Sequence, residues 1–146
     1  MGCTVRSMSN AHQHQAQNPK TYFGGCHCGK VRYRVDVDLS AGSNTCNCSI
    51  CTKNGNRGTI VKPSAFELLS GEEHLTDYQF NTKSVHHLFC KHCGIRSFGR
   101  ANIPQIGGEI VSVNINCLEG LSDEELAAIP IIRFNGRDDD WSGTAA

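Results

Sequence analysis

Two stretches of the chain alternate strictly between apolar and polar residues. Val31, Tyr33, Val35 and Val37 are interleaved with Arg32, Arg34, Asp36 and Asp38, and Val111, Val113, Ile115 and Cys117 with Ser112, Asn114 and Asn116. A period of two sends every second side chain to the same face, so each stretch predicts a strand with one face in the core and one in water. On that pattern Cys117 is a small buried hydrophobe. Shorter strands are predicted near 57–62, 66–69, 75–80, 85–89 and 95–99, separated by turn formers at Gly71, Asn81 and Gly107-Gly108. One helix is signalled: Ser122-Asp123-Glu124-Glu125 is a capping box, Leu126 and Ile129 give an apolar side, and Pro130 discourages continuation. The predicted fold class is mainly β, compact and antiparallel, with one short C-terminal helix.

Residues 1–20 are polar and aperiodic, too poor in apolar surface to offset their ordering entropy, and are predicted to be a disordered tail. His12 and His14 are solvated residues of that tail. Met1-Gly2-Cys3 resembles a lipidation start, but Arg6 stands where that motif wants Ser or Thr. The folded unit is expected over 21–141, with a second short tail at 142–146. A chain of 146 residues is long enough for one domain with its own core. Lys+Arg and Asp+Glu balance at 14 each, so no net field draws the chain to nucleic acid. No apolar run approaches the roughly 20 residues that span a bilayer, and no signal peptide is visible. The expectation is a cytosolic or nuclear protein with reduced cysteines and no membrane partner.

The cysteines change the picture most. Seven of the nine fall into Cys26-His27-Cys28, Cys46-Asn47-Cys48-Ser49-Ile50-Cys51 and Cys90-Lys91-His92-Cys93. Thiolates crowded in this way call for a shared soft cation, and zinc fits sulfur-rich tetrahedral shells. Cys90 and Cys93 form a knuckle, with Gly94 placed for the positive φ such a turn needs. Cys26 and Cys28, flanked by Gly24-Gly25 and Gly29, project to the same side of an extended chain. Pair joins pair, so Cys26, Cys28, Cys90 and Cys93 are assigned to one structural zinc. Cys46, Cys48 and Cys51 then make a three-sulfur zinc site from one loop, either open at its fourth position or closed by Cys117, Cys3 or a histidine.

The words around these cysteines resemble a known family. Phe23-Gly24-Gly25-Cys26-His27-Cys28-Gly29-Lys30-Val31-Arg32-Tyr33, the Cys46–Cys51 run followed by Thr52-Lys53, and Phe89-Cys90-Lys91-His92-Cys93-Gly94 are similar, in order and spacing, to the three motifs of glutathione-dependent formaldehyde-activating enzymes and centromere protein V. Residues 66–72, 78–82 and 113–118 lean towards the centromere-protein branch. The resemblance covers about residues 21 to 141. It implies a β-tent fold, structural ligands at Cys26, Cys28, Cys90 and Cys93, and catalytic-site ligands at Cys46, Cys48 and Cys51. Asn47 stands where enzyme-like members often carry histidine.

The activity implied is addition of glutathione to formaldehyde, giving S-hydroxymethylglutathione by carbon–sulfur lyase chemistry. Three thiolates already cancel the zinc charge, so an incoming thiol suits an open site better than hydroxide does. The expected partner is a small-molecule thiol or thiol adduct, with glutathione as co-substrate. Lys53 and Asn54, directly after the three-cysteine loop, are candidate contacts for it, ahead of Arg57, Arg96 and Arg100. His86, His87 and His92 are candidate proton carriers that the sequence does not place. A second reading is a non-catalytic zinc-stapled interaction module for chromatin or a protein partner, with both zincs structural.

Overall fold

A computed structural model of the chain describes residues 18–145, so Cys3, His12 and His14 lie outside the described residues. The elements in chain order are β1 (Lys20–Gly25), β2 (Arg32–Val37), β3 (Ser43–Cys46), α1 (Ser49–Asn54), β4 (Gly58–Val61), β5 (Phe66–Ser70), β6 (Leu75–Tyr78), β7 (Val85–Cys90), β8 (Phe98–Ile103), β9 (Gly108–Asn114), α2 (Asp123–Ala128), β10 (Ile131–Asn135) and β11 (Asp140–Ala145), joined in part by short 3-10 turns. β1, β2 and β5 make one small antiparallel sheet. The other eight strands follow the order β11-β10-β3-β4-β9-β8-β7-β6. Every pairing is antiparallel except β3 with β10, which run parallel with Cys46 opposite Phe134. The mainly β, antiparallel class expected from the sequence is what the chain adopts.

Alternation explains the main core. Val31, Tyr33, Val35 and Val37 are buried while Arg32, Arg34 and Asp36 between them are partly exposed. Val111 and Val113 of β9 bury the same way and join Phe66 and Phe98. Tyr33, Phe66 and Phe98 form an aromatic trio with centroids 4.8 to 5.7 Å apart, and the Tyr33 hydroxyl donates to the Ser97 carbonyl at 3.0 Å. A second, smaller cluster of Ile60, Ile106, Ile110 and Phe134 lies apart from it, with Cys46 and Trp141 packed on its edge.

Several boundaries differ from the expectation for local reasons. The strand expected at 95–99 starts only at Phe98, because residues 91–97 wrap the Cys90–Cys93 turn, with Gly94 at φ +78° as anticipated. The 75–80 strand stops at Tyr78 before a turn in which Asn81 and Lys83 take positive φ. β9 ends at Asn114, whose side chain accepts from the Asn116 N–H and diverts the backbone into a 3-10 turn. Cys117 therefore sits half-buried in a turn rather than on a buried strand face. The capping box at Ser122 and Glu125 forms in full. A second helix, α1, was not foreseen: it starts inside the three-cysteine run, with Cys48 at its N-cap. Residues 140–145, expected in part as a tail, pair with β10 as a strand at the edge of the sheet, and β1 begins at Lys20.

Candidate metal centres and the adjoining cleft

Glycines bring the first pair of cysteines to the second. A Cβ on Gly25 would meet the Val31 carbonyl oxygen at 2.0 Å, so only glycine lets the chain double back just before Cys26. That turn aims the Val31 N–H at the Cys26 sulfur, 3.3 Å away, while the Lys30 N–H bonds to Cys28. Across the sheet junction, the Ile95 N–H bonds to Cys93. The four sulfurs of Cys26, Cys28, Cys90 and Cys93 lie within 4.8 Å of one another. Cys28 stands 3.6 Å from both Cys26 and Cys90. A tetrahedron of sulfurs about 2.3 Å from a central zinc has edges of about 3.8 Å, so the set fits that ion. Cys26 and Cys90 are buried at the edge of the main core, which ties the site to the fold.

The second trio has another origin. Cys46 ends β3, Cys48 caps α1 and Cys51 lies in its first turn, which brings their sulfurs within 4.8 Å. The Cys51 thiol donates to Cys46, burial opposes, and the N–H groups of Cys48 and Gly136 add to the pull, holding Cys46 down at about 5. The same contact with Cys46, together with burial, pushes Cys51 well up. Left to themselves these sulfurs share protons. Holding all three as thiolates takes a cation, and three sulfurs on one short stretch fit a zinc that keeps a further position. Among the described residues no fourth cysteine, histidine or carboxylate joins them; Cys117 belongs to neither group.

Asn47 fixes this loop to the rest of the sheet. Its amide donates to the Asn135 side chain at 2.8 Å, and its carbonyl oxygen accepts from the Arg137 N–H at 3.0 Å. Both ends of the side chain are thus occupied by the turn between β10 and β11. That turn carries Gly136, where a Cβ would stand 2.5 Å from the Cys46 sulfur and 3.0 Å from the Trp141 ring. Only glycine leaves room here for both the sulfur and the indole.

The trio borders a cleft of about 660 Å³. Its polar lining includes Arg96, His87 and Asn44, and its apolar lining Ile103, Phe134 and Trp141. Among the described residues the Arg96 Nε, His87 Nδ1 and Asn44 Nδ2 are buried without a hydrogen-bond partner. Burial lowers the Arg96 pKa, while the neighbouring Cys51 and Cys48 favour its charge. Burial, then the Arg96 cation, pulls His87 down to about 4, so near neutral pH its imidazole is uncharged. A guanidinium whose buried Nε lacks a partner, beside a thiolate site, is an anion-receiving arrangement.

The structure sorts the other candidates. Lys53 and Asn54 are exposed at the end of α1 and do not line the cleft, because the helix turns them outward. Arg57 is spent on structure, bonding to the Ser43 hydroxyl and the Ile129 carbonyl. Arg100 lies over the Phe66 and Phe98 rings. His86 pairs with Asp77 at 2.6 Å, and His92 with His74 at 3.0 Å, both away from the cleft. Of the basic candidates only Arg96 and His87 reach it. Gly136, Arg137 and Trp141 also line it, and no sequence signal had marked them; the parallel β3–β10 pairing is what delivers them.

Comparison with known proteins gives the same reading. A 78-residue segment is 36% identical to a protein of Halomonas elongata whose name provisionally assigns it as a glutathione-dependent formaldehyde-activating enzyme; the match covers 48% of this chain and 50% of that protein. The match thus spans about half the length of that curated relative. A crystal structure of a Rhodobacter sphaeroides protein superposes with a TM-score of 0.64 at 33% identity, over 75% of this chain and 98% of that one. The family model described as glutathione-dependent formaldehyde-activating enzyme matches residues 21–133, which takes in all seven clustered cysteines. The chain belongs to the glutathione-dependent formaldehyde-activating enzyme family.

Proposed function

We propose that this chain is a zinc-dependent enzyme of carbon–sulfur lyase type, joining a thiol such as glutathione to an aldehyde and releasing it in reverse, as an S-(hydroxymethyl)glutathione synthase does. The observation that carries this reading is the trio Cys46, Cys48 and Cys51, which opens on a cleft beside an unpaired Arg96. A zinc held by the trio supplies positive charge and a further position, which favour an incoming thiol as its thiolate. Cys26, Cys28, Cys90 and Cys93 would hold a structural zinc.

The rest falls to the chain's own residues. Arg96 would offset the negative charge of an incoming thiolate beside the trio. The arriving sulfur attacks the carbonyl carbon; one S–C bond forms, the C=O π bond opens, and the thiol proton ends on the former carbonyl oxygen. His87, neutral and with Nδ1 unpaired, is placed to hydrogen-bond a polar group of the adduct. Asn47 takes no part in proton movement, since both ends of its amide are already bonded. Lys53 and Asn54 have no role in this scheme.

Zinc content per chain, followed by exchange spectroscopy of glutathione with formaldehyde, tests the scheme. Two zincs and an accelerated exchange that Cys48→Ser abolishes, with the fold retained, are expected. Two zincs indifferent to thiols, with no acceleration, would return the chain to the role of a zinc-stapled interaction module.

A further inference from the structure

The cleft has more apolar lining than the hydroxymethyl end of a formaldehyde–glutathione adduct can meet. At about 660 Å³ it lies in the range of sites that enclose small organic ligands. A hydroxymethyl group offers almost no apolar surface to this lining, in which Ile103 and Trp141 are half-buried and Ile106, Ile110 and Phe134 are packed into the smaller core cluster. That wall is continuous with the reaction site. Cys46 packs on the same cluster as Phe134, and at Gly136 a Cβ would meet both the Cys46 sulfur and the Trp141 ring. The Phe134 and Trp141 rings lie 5.7 Å apart between centroids, tilted by 55°, which adds aromatic surface to the lining.

Arg96 and His87, with unpaired nitrogens, belong to β7 and the segment before β8, whereas Phe134 and Trp141 belong to the β10–β11 hairpin. A ligand that satisfies both has an anionic portion, a sulfur at the trio and an apolar group beyond it. Resting on the thiol–aldehyde reading above, we infer that the aldehyde handled by this chain carries an apolar chain or ring of several carbons, which lodges against Trp141 and Phe134. The bond changes are those already given, with the aldehyde hydrogen and its apolar group both remaining on the former carbonyl carbon.

Trp141 is the only tryptophan of the chain, so its fluorescence reports on this wall directly. The zinc-loaded full chain is titrated with glutathione, S-methylglutathione and S-hexylglutathione, the last two being inert stand-ins for short and long adducts. The inference expects S-hexylglutathione to bind on the order of tenfold or more tighter than S-methylglutathione, since each added methylene leaves water for an apolar wall. Ile103→Asn, at a half-exposed position, should shrink that ratio. If glutathione perturbs Trp141 but the hexyl compound binds no tighter than the methyl one, the apolar-aldehyde inference is overturned and the thiol reading stands. If glutathione itself leaves Trp141 and the protein-bound zinc unchanged, the thiol reading fails and takes the inference with it.

Discussion

The two cysteine groups hold similar sulfur geometry and differ in almost everything else. Cys26, Cys28, Cys90 and Cys93 join segments more than sixty residues apart, with Cys26 and Cys90 inside the main core. Cys46, Cys48 and Cys51 come from one short run, are all half-buried, and face a cleft. A crosslink between distant segments constrains the whole unfolded chain, whereas a local one constrains almost none of it. On the function proposed above, the first group stabilises and the second reacts. The contrast can be broken by mutation.

The largest effect is expected at Cys90. Its side chain is fully buried, and Cys90→Ser removes one sulfur of four while leaving a hydroxyl in the core. Loss of the metal linkage should cost several kcal/mol, much of the about 5–15 kcal/mol available to a domain of this kind. Thermal melting with zinc analysis should show a collapsed transition and lost metal. Cys48→Ser, half-exposed and local, should lose only the second zinc and shift stability by about 1 kcal/mol or less. Equal destabilisation by the two substitutions would erase the division between the sites.

How much of this contrast was legible in the sequence follows from the range of the interactions. The four-cysteine grouping needed only local spacing and the rule that pairs seek pairs, and the structure gathers the same four sulfurs. Strict alternation predicted the strands at 31–38 and 111–117, because one face meets core and the other water, and the second holds as far as Asn114. The cleft was hidden. Trp141 and Gly136 reach Cys46 only because β10 returns parallel to β3, a pairing that no local pattern in either strand announces. Lys53 and Asn54 looked well placed by adjacency, but α1 carries its later residues away from the sulfurs. Sequence neighbours of a site are not its spatial neighbours once a helix begins.

A second test separates the sites by pH. His87 lines the cleft of the three-cysteine site and is held neutral, down to about 4, by burial and by Arg96, with Asp77 opposing and His86 adding to the effect. Its ordinary value is about 6.5, so between about 4 and 6.5 the unfolded chain binds the extra proton and the folded chain does not. Stability from this residue is complete above about 6.5 and is lost as pH falls towards 4, by on the order of 2 kcal/mol. His87→Phe keeps the stacking against Phe80, 5.5 Å away, and cannot be protonated. Denaturant melts at pH 7 and 5 should show a smaller acid loss in the variant. An unchanged pH slope would mean that His87 already carries its proton in the fold.

Arg96 should act on thiol capture rather than on folding. Arg96→Met removes the charge and keeps much of the stem, and thiol binding to the zinc-loaded chain should weaken by about tenfold, about 1.4 kcal/mol. Arg96→Lys should restore part of it. Because burial already works against the guanidinium, the methionine variant should be no less stable in thermal melts. A variant that melts early but binds thiol normally would make Arg96 a structural residue of the cleft wall.

The smallest effect is expected at Asn47, and it tests how the reactive site is built without touching a sulfur. Asn47→Ala deletes two side-chain hydrogen bonds to the β10–β11 turn, at 2.8 and 3.0 Å, both in an exposed setting. Each such bond is worth about 0.5–1.5 kcal/mol net, and exposure places these at the low end because water replaces them. Global stability should fall by about 1 kcal/mol. The local consequence is larger in kind: the turn that holds Gly136 against Cys46 and Trp141 loses its tie to the cysteine loop. Trp141 fluorescence should move to longer wavelength and the second zinc should exchange faster with a chelator, while the four-cysteine site keeps its metal. Asn47→His offers a ring donor at the same place but cannot reproduce the paired amide contacts, so it should resemble the alanine variant. Were both variants to hold the second zinc as firmly as the parent chain, the parallel β3–β10 pairing alone would be enough to seat the hairpin on the site.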